Sequence, residues 1–255
     1  MRHARGAAGD GRPAALAAGG AALEVAVVIP ALDEEGPLPG VLAAIPRAGE
    51  GWRVSRVVVV DNGSRDRTAE AARAAGAEVV AEPRRGYGAA CLAGLARLAA
   101  RPPDVVAFLD ADHSDDPAEL PALLAPLVAG RADLVIGSRV LGRSEPGALT
   151  PVQSFGNRFA AVLMRVLFGA RFTDLGPFRA VRWSALARLG MRDRDYGWTV
   201  EMQTRALRAR LRCAEVPVRS RRRRLGASKV SGTLRGAAGA GWKILFTIAR
   251  VRLGG

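Results

Sequence analysis

Two carboxylates at the end of one apolar run are the side chains in this sequence best suited to chemistry. Residues 105–109 read Val-Val-Ala-Phe-Leu, and Asp110 and Asp112 follow directly. A short branched run predicts a strand buried on both faces of a parallel sheet, and ligands bind beyond the carboxyl ends of such strands. Two carboxylates at this spacing can share one divalent cation, as a phosphate-bearing substrate requires. The alternative role for either aspartate is a helix cap.

The rest of the sequence supplies the elements that must hold this pair in place. Strand signals alternate with helix signals: strands are predicted at 25–29, 54–60, 78–81, 105–109 and 133–136, and helices at 38–44, 68–75, 89–99 and 117–128. This alternation predicts an α/β domain with a single doubly wound, mostly parallel sheet flanked by helices. A chain of 255 residues with 49% hydrophobic content is large enough for one such domain.

Three further strand-to-turn signatures occur in a recognisable order with the acidic pair. Residues 27–35 read Val-Val-Ile-Pro-Ala-Leu-Asp-Glu-Glu, residues 57–64 read Val-Val-Val-Val-Asp-Asn-Gly-Ser, and residues 134–139 read Leu-Val-Ile-Gly-Ser-Arg. Together they resemble the family 2 glycosyltransferases, which have the Rossmann-like GT-A fold. The resemblance extends over about residues 24–250 and includes the branch of dolichol-phosphate mannose synthase and the bacterial polyprenyl-phosphate sugar synthases.

The resemblance implies a nucleotide-sugar donor and Mg²⁺ or Mn²⁺ as cofactor. Asp110 and Asp112 correspond to the metal-binding pair, and the third ligand is left open because Ser114 stands where relatives carry an amide. Asn62 departs from the commoner Asp-Asp-Gly-Ser, keeps the turn-forming property and removes one charge. The positions that the resemblance places at the donor are Pro30, Leu32, Glu34, Asp61, Gly63, Ser64 and Ala111.

Basic and acidic side chains downstream are the remaining candidates for catalysis. In the resemblance, Arg139 corresponds to an arginine that contacts the diphosphate, and Arg223 and Lys229 correspond to phosphate-binding bases. Asp174 and Glu201 are candidate general bases, with ion-pair partners as the equal alternative. A base is needed only if the acceptor is a hydroxyl, since a lipid phosphate is already anionic at neutral pH.

Charge distribution indicates where the chain meets a membrane. The net charge is +14, and two of the 38 basic residues are lysine, so much of the excess reflects a general arginine bias. Residues 216–255 nevertheless contain ten bases and no acid. We expect a disordered tail at 1–22, the glycosyltransferase domain at 23–230 and a basic amphipathic helix at 231–255 that lies on an anionic membrane surface. A basic face over an ordinary core helix is the alternative.

Hydropathy, cysteine spacing and aromatic content indicate where the protein acts and which classes of function are disfavoured. Residues 149–168 form an amphipathic segment that either packs on the sheet or faces the acceptor and membrane, and no segment is uncharged enough to span a bilayer. Cys91 and Cys213 have no disulfide or zinc spacing, which favours a reducing cytoplasm. Too few aromatic residues accompany the basic ones for nucleic-acid binding, the alternative from another class.

The sequence as a whole therefore predicts an inverting, metal-dependent hexosyltransferase peripheral to the cytoplasmic membrane face. We expect transfer from a UDP- or GDP-sugar to a polyprenyl or dolichyl phosphate, with inversion implied by the resemblance alone. A family 2 enzyme acting on a hydroxyl of a small molecule or glycan is the alternative. A sugar nucleotidyltransferase is disfavoured because the first strand lacks a glycine-rich signature with lysine. Sugar, base and oligomeric state are left open.

Overall fold

One mostly parallel sheet organises the domain. The computed structural model describes residues 21–145, 151–169, 172–221, 246–248 and 250–251. Its strands are β1 (Leu23–Ala31), β2 (Ala48–Gly49), β3 (Trp52–Asp61), β4 (Glu78–Ala81), β5 (Val105–Phe108), β6 (Leu134–Ser138), β7 (Arg179–Arg182) and β8 (Cys213–Pro217). Their order is β2-β3-β1-β5-β7-β6-β8, and β4 also pairs with β3. Because β4, β3, β1 and β5 are mutually parallel, their carboxyl ends meet at one edge.

Helices cover both faces of this sheet. They are α1 (Leu38–Ala44), α2 (Thr68–Ala74), α3 (Tyr87–Ala99), α4 (Leu120–Val128), α5 (Pro151–Phe168), α6 (Trp183–Leu189) and α7 (Trp198–Arg208), and a 3₁₀ turn, Pro117–Glu119, precedes α4. Alternate residues of β1 point to opposite faces, so Val27 packs in the core beneath α1, α2 and α4. Val28 packs in the core beneath α3, α5, α6 and α7. This arrangement confirms the predicted doubly wound α/β fold.

The five predicted strands are all present, but the sequence gives no clear signal for β7. Residues 181–189 are predicted as one amphipathic stretch, whereas residues 179–182 form a strand antiparallel to both β5 and β6. β7 has only two apolar residues, Ala180 and Val181, between two arginines. The strand forms because neighbours on both sides satisfy its backbone groups and bury it, a tertiary effect that outweighs the local pattern.

The described residues near the C-terminus pack onto the domain. Ile248 and Val251 are fully buried, Ile248 belongs to the core that includes residues of α7, and Arg208 donates a hydrogen bond to the Val251 carbonyl oxygen at 2.8 Å. The membrane-lying helix predicted for residues 231–255 stays a prediction. Phe246 is about half exposed. Most of the predicted basic helix lies outside the described residues, as do residues 1–20 of the predicted tail.

None of the helices in the described ranges combines the length and the hydropathy that a membrane span requires.

Gly94 on α3 allows the helix to approach the sheet closely, which yields a stability prediction. A Cβ atom there would lie 2.6 Å from a Val28 methyl group and 3.2 Å from a Val60 methyl group. We expect Gly94→Val to lower the free energy of unfolding by about 1–3 kcal/mol through overpacking. Urea unfolding followed by circular dichroism measures the change.

Gly156 on α5 provides the matched control, because no described atom lies within 4 Å of a Cβ atom built there. Gly156→Val should leave stability equal or slightly higher, since replacing a helical glycine removes backbone entropy from the unfolded chain. Equal losses in the two variants would contradict the close packing of α3 on the sheet.

Candidate active site

A cavity of about 340 Å³ lies at the carboxyl ends of β1, β3 and β5. The turn that follows β1 forms one wall, and the turn that follows β5 forms the floor beside it. Six residues predicted for the donor or the metal line this cavity, namely Pro30, Leu32, Glu34, Asp110, Ala111 and Asp112. Residues 27–35 and 105–112 are far apart in sequence, and the parallel pairing of β1 with β5 brings their ends together.

Asp61, Gly63 and Ser64 form a turn beside the cavity and are not among the residues that line it. The Ser64 backbone N–H donates to Asp61 Oδ1 at 3.0 Å, and the Ser64 hydroxyl oxygen accepts from the Asp33 N–H at 3.0 Å. Gly63 has a φ of +79°, a conformation that glycine adopts without strain. The predicted nucleoside turn after β3 is therefore hydrogen-bonded to the turn after β1, and Asp61 keeps one oxygen outside this bond.

Asn62 lines the cavity and fixes the segment that leads into α3. Its amide nitrogen donates to the carbonyl oxygens of Glu82 and Arg84 at 2.9 and 2.8 Å, and its amide oxygen accepts from the Gly86 N–H at 2.9 Å. Only an amide can donate two bonds and accept one in this arrangement, because an ionised carboxylate has no donor. Asn62, which stands in place of the second aspartate of Asp-Asp-Gly-Ser, therefore holds the segment before α3, a role that the sequence alone did not indicate.

The N-terminus of α3 packs tightly on the loop that precedes α7. The N–H groups of Gly88 and Ala89 donate to the carbonyl oxygens of Asp195 and Arg194. A Cβ atom on Gly88 would lie 2.1 Å from the Asp193 carbonyl oxygen, so no larger residue fits this approach. Gly86 and Tyr87 at the start of α3 line the cavity, and Tyr196 on the facing loop also lines it.

The acidic cluster after β5 is short of positive charge. Asp110 Oδ1 and Asp115 Oδ2 are buried without a hydrogen-bond partner among the described residues. Burial, followed by the charges of Asp112 and Asp115, raises the pKa of Asp110 well above its ordinary value. Burial likewise raises the pKa of Asp115 to about 7, against the opposing charge of Arg139 and with the help of Asp112. Buried carboxylates in mutual repulsion are stabilised by a cation.

The residues present fit a divalent cation that also takes ligands from its substrate. Asp110 and Asp112 supply hard carboxylate oxygens, as Mg²⁺ and Mn²⁺ prefer. Within the described ranges, no three acidic, histidine or cysteine side chains converge into a complete ligand set. Magnesium characteristically uses one or two carboxylates together with substrate phosphates and water, so an incomplete protein set is the expected one for a diphosphate substrate.

The His113 ring lies against α1. The residue has a φ of +62°, and a Cβ atom on Gly40 of α1 would lie 2.7 Å from His113 Nε2. The Ser114 N–H donates to Asp112 Oδ1 at 2.9 Å and so fixes that carboxylate. Ser114 therefore acts in this turn through its backbone N–H group.

Arg139 forms a buried ion pair with Asp174. Its Nε and Nη2 atoms donate to Asp174 Oδ2 and Oδ1 at 2.7 and 2.8 Å, and Asn157 on α5 donates to Oδ1 at 2.7 Å. Burial alone would raise the pKa of Asp174, but the hydrogen bonds and charge of Arg139 outweigh it and hold that pKa below its ordinary value. Asp174 therefore matches the predicted ion-pair alternative, and Arg139 lies close enough to lower the pKa of Asp110 and Asp115.

Glu201, predicted as catalytic, is fully buried and does not line the cavity. It accepts hydrogen bonds from the backbone N–H groups of Arg192 and Asp193 at 3.0 and 2.7 Å. Its other oxygen pairs with Arg205 at 2.9 Å and Arg250 at 3.3 Å. In these contacts Glu201 holds the loop on which α3 is docked and has the environment of an ion-pair partner, the alternative that the sequence left open; its catalytic role stays a prediction. Arg223 and Lys229 lie outside the described residues.

Strand-end carboxylates beside a cavity of about 340 Å³ at the carboxyl edge of a mostly parallel sheet are typical of nucleotide-binding α/β enzymes. Residues 26–190 match the model of Glycosyl transferase family 2, and the chain belongs to that family. An uncharacterised glycosyltransferase of Mycobacterium tuberculosis is 44% identical over 225 residues, which cover 87% of this chain and 97% of that protein. The undecaprenyl-phosphate mannosyltransferase of Micrococcus luteus is 31% identical over 226 residues, covering 85% and 91%.

A solved structure shares the fold over most of the chain. Glucosyl-3-phosphoglycerate synthase from Mycobacterium tuberculosis, in complex with Mn²⁺, UDP and glucosyl-3-phosphoglycerate, has a TM-score of 0.70 and 25% identity. The match covers 91% of this chain and 80% of that one. The same enzyme has also been solved with Mg²⁺ and UDP. The predicted family, GT-A fold and hexosyltransferase class are confirmed.

The role of Asn62 yields a prediction with a pH dependence. Asn62→Asp places a carboxylate against two carbonyl oxygens, so we expect a loss of about 1–3 kcal/mol in the free energy of unfolding at pH 8. The introduced carboxyl should have a raised pKa in the folded state, because its protonated form can donate one hydrogen bond. The loss should therefore be smaller at pH 5 than at pH 8, as measured by urea unfolding at both values.

Asn62→Ala is the control, since it removes the same hydrogen bonds without adding a titratable group. Its stability loss relative to the parent should be the same at pH 5 and pH 8. If Asn62→Asp is as stable as the parent, or if its loss does not vary with pH, the two carbonyl contacts do not hold the segment before α3.

Proposed function

We propose that this protein transfers a hexose from a UDP- or GDP-sugar to a polyprenyl phosphate, with inversion and with Mg²⁺ or Mn²⁺, at the cytoplasmic face of the membrane. The observation that carries the proposal is the cavity at the ends of β1, β3 and β5, with Asp110 and Asp112 on its floor. Breaking the anomeric bond leaves negative charge on the departing nucleotide diphosphate, so a site for this reaction must supply positive charge there.

Asp110 and Asp112 would hold the divalent cation. When bound, the cation supplies Lewis-acid neutralisation of the diphosphate. The Ser114 N–H orients Asp112, and Arg139, already positioned by Asp174, adds a fixed positive charge beside the acidic cluster. Arg139 is not among the residues that line the cavity, so its fixed charge would act on the diphosphate at a distance and not by direct contact.

The turns after β1 and β3 would bind the nucleoside. Pro30, Leu32 and Glu34 line the cavity, and Asp61 ends β3 beside it with one oxygen outside the turn's hydrogen bond. A carboxylate accepts hydrogen bonds from ribose hydroxyls or from a base N–H group. The turns are joined by hydrogen bonds from backbone N–H groups to side-chain oxygens, so nucleoside binding needs little ordering of these turns.

The start of the basic run is fixed beside the acidic loop. The Arg221 N–H donates to the Ser114 carbonyl oxygen at 2.9 Å, and the Arg221 side chain pairs with Asp116 at 2.5 Å. The Arg219 N–H donates to Glu119 at 2.6 Å. Arg223 and Lys229 follow within eight residues along the chain, and we assign them to the phosphates of donor and acceptor. Closure of a basic segment would neutralise charge and exclude water.

The ion pairing of both candidate bases favours a phosphate acceptor over a hydroxyl acceptor. Asp174 is ion-paired with Arg139, and Glu201 is ion-paired with Arg205 and Arg250. An acceptor hydroxyl must lose a proton as it attacks, whereas a lipid phosphate needs no base. The similarity to the undecaprenyl-phosphate mannosyltransferase of Micrococcus luteus supports the same acceptor class. Transfer to a hydroxyl is the second candidate, favoured by the similarity to glucosyl-3-phosphoglycerate synthase.

Transfer assays with separate acceptors test the proposal. With UDP- and GDP-hexoses and Mn²⁺ or Mg²⁺, we expect mass spectrometry to detect a hexosyl product from undecaprenyl phosphate. Undecaprenol, which lacks the phosphate, and phosphoglyceric acid should give none. Product from either of these, without product from the lipid phosphate, would identify the hydroxyl-directed alternative.

Asp112→Asn tests the cation site within that assay. We expect turnover to fall at least about 100-fold, because one charged contact to the departing diphosphate is removed at constant side-chain volume. Asp133→Asn is the control, since Asp133 precedes β6 at the opposite end of the sheet and pairs with the exposed Arg212. Near-normal turnover in a folded Asp112→Asn variant would remove this residue from the metal site.

The α5 helix offers an apolar surface for a lipid acceptor's membrane. Phe159, Val162 and Val166 are 47%, 54% and 74% exposed at the spacing of one helical face, whereas Ala160 and Met164 on the same helix are fully buried. We call Phe159, Val162 and Val166 the α5 stripe. The helix carries two arginines and no acid, and this combination of apolar and basic side chains suits an anionic bilayer surface. Asn157 connects the same helix to the Arg139–Asp174 pair.

Introducing negative charge into the α5 stripe tests membrane binding. Val162→Glu combined with Val166→Glu should weaken binding to vesicles of phosphatidylglycerol and phosphatidylcholine about tenfold or more, by losing apolar burial and adding repulsion. Ala96→Glu combined with Ala99→Glu on α3 makes the same charge change at exposed positions outside the stripe and should have a smaller effect. Sedimentation with vesicles measures both. Equal losses in the two double variants would show that net charge alone governs binding.

A further inference from the structure

Asp115 is a buried carboxylate that the proposed reaction leaves without a role. It is 2% exposed, and its Oδ2 atom has no hydrogen-bond partner in the described part of the chain. Burying a carboxylate oxygen without a partner is costly, and native structures rarely retain such an atom unless a ligand, an ion or water completes it. Its burial separates Asp115 from an ordinary surface residue of an acidic loop.

The charges around Asp115 do not satisfy this atom. Arg139 is the nearby cation, but its Nε and Nη2 atoms already donate to the carboxylate of Asp174. The carboxylates that act on Asp115 include those of Asp112, Asp174, Glu119 and Asp110. A third carboxyl group is thus held beside the proposed metal-binding pair, and the arginine near it is already paired with Asp174.

The position of Asp115 is fixed by its backbone. It forms a bridge with Ser220, and the Arg221 N–H donates to the carbonyl oxygen of the preceding Ser114. Ser220 is in turn held on its other side by bonds to Arg143 and Glu145. The loop therefore keeps its shape through main-chain contacts, which leave Asp115 Oδ2 without a hydrogen-bond partner among the residues that the structure describes.

We propose that Asp115 is a third carboxylate of the divalent-cation site and acts on the cation through its bound water. The inference rests on the cation assigned under the proposed function. A role through water follows because Asp110, Asp112 and Asp115 do not converge into a direct three-residue ligand set. Carboxylates in this outer position orient the water ligands of a metal and contribute strongly to its affinity.

Manganese binding tests this role independently of sugar transfer. We expect electron paramagnetic resonance titration with Mn²⁺ to show at least about tenfold weaker binding for Asp115→Asn than for the parent. Asp133→Asn removes the same charge at the opposite end of the sheet, where Asp133 pairs with Arg212, and its affinity should change less than about threefold, consistent with a screened charge effect. Titrations repeated with UDP and GDP present should show the same contrast.

Thermal unfolding separates a cation role from a structural one. Without metal, Asp115→Asn should melt at a higher temperature than the parent, because a repelled buried carboxylate is removed, and Mn²⁺ should raise its melting temperature less. If Asp115 instead stabilises the fold, the variant will melt lower or fail to fold, and the inference is overturned.

The two proposals fail in distinguishable ways. If the parent binds Mn²⁺ and Asp115→Asn binds it equally well, the role of Asp115 is overturned and the Asp110–Asp112 site stands. If the parent binds no Mn²⁺ in either the absence or the presence of UDP and GDP, the cation itself is overturned, and the inference falls with it.

Discussion

Carboxyl groups crowded together at the end of β5 are the constraint on which this end of the domain depends. Asp110, Asp112 and Asp115 lie within a few residues of one another, and burial of Asp110 Oδ1 and of Asp115 strengthens their repulsion. Among the described residues, Arg139 brings a positive charge close to them, and its guanidinium is also paired with Asp174. A cation that joined the carboxylates would relieve this repulsion, which is the physical reason for the divalent cation in the proposed function.

A layer of hydrogen bonds behind the cavity keeps this cluster in place. The Asp174 backbone accepts a bond from Gln203 on α7, and the Thr173 N–H donates to Glu215 on β8. Glu201 supports the loop that docks α3, which presents Tyr87 to the cavity. These buried polar groups are largely satisfied by one another, and so they orient the groups that contact the donor without meeting it themselves.

The sequence predicted those parts of the structure that depend on local pattern. Runs of branched residues that end in an aspartate correctly predicted β3 and β5. Because both strands pair with β1 in parallel, Asp110 and Asp112 lie at the same edge of the sheet as the turns after β1 and β3. The sequence could not predict β7, whose strand state depends on its neighbours, or the position of Glu201, because burial and ion pairing depend on segments distant in sequence. Asp115 carried a weak signal as a third acid after β5, but only the fold shows that its oxygen lacks a partner.

Hydrogen bonds and ion pairs join the acidic loop after β5 to the start of the basic run. Ser114, Asp116 and Glu119 hold residues 219–221, the residues from which Arg222–Arg224 continue. Asp116 and Glu119, which follow Asp115 along the loop, pair with Arg221 and Arg219 at the start of this run. Because these first arginines already have carboxylate partners, we propose that the bases which follow along the chain act on phosphates of the substrate. In that arrangement the carboxylates and the bases serve different parts of one substrate.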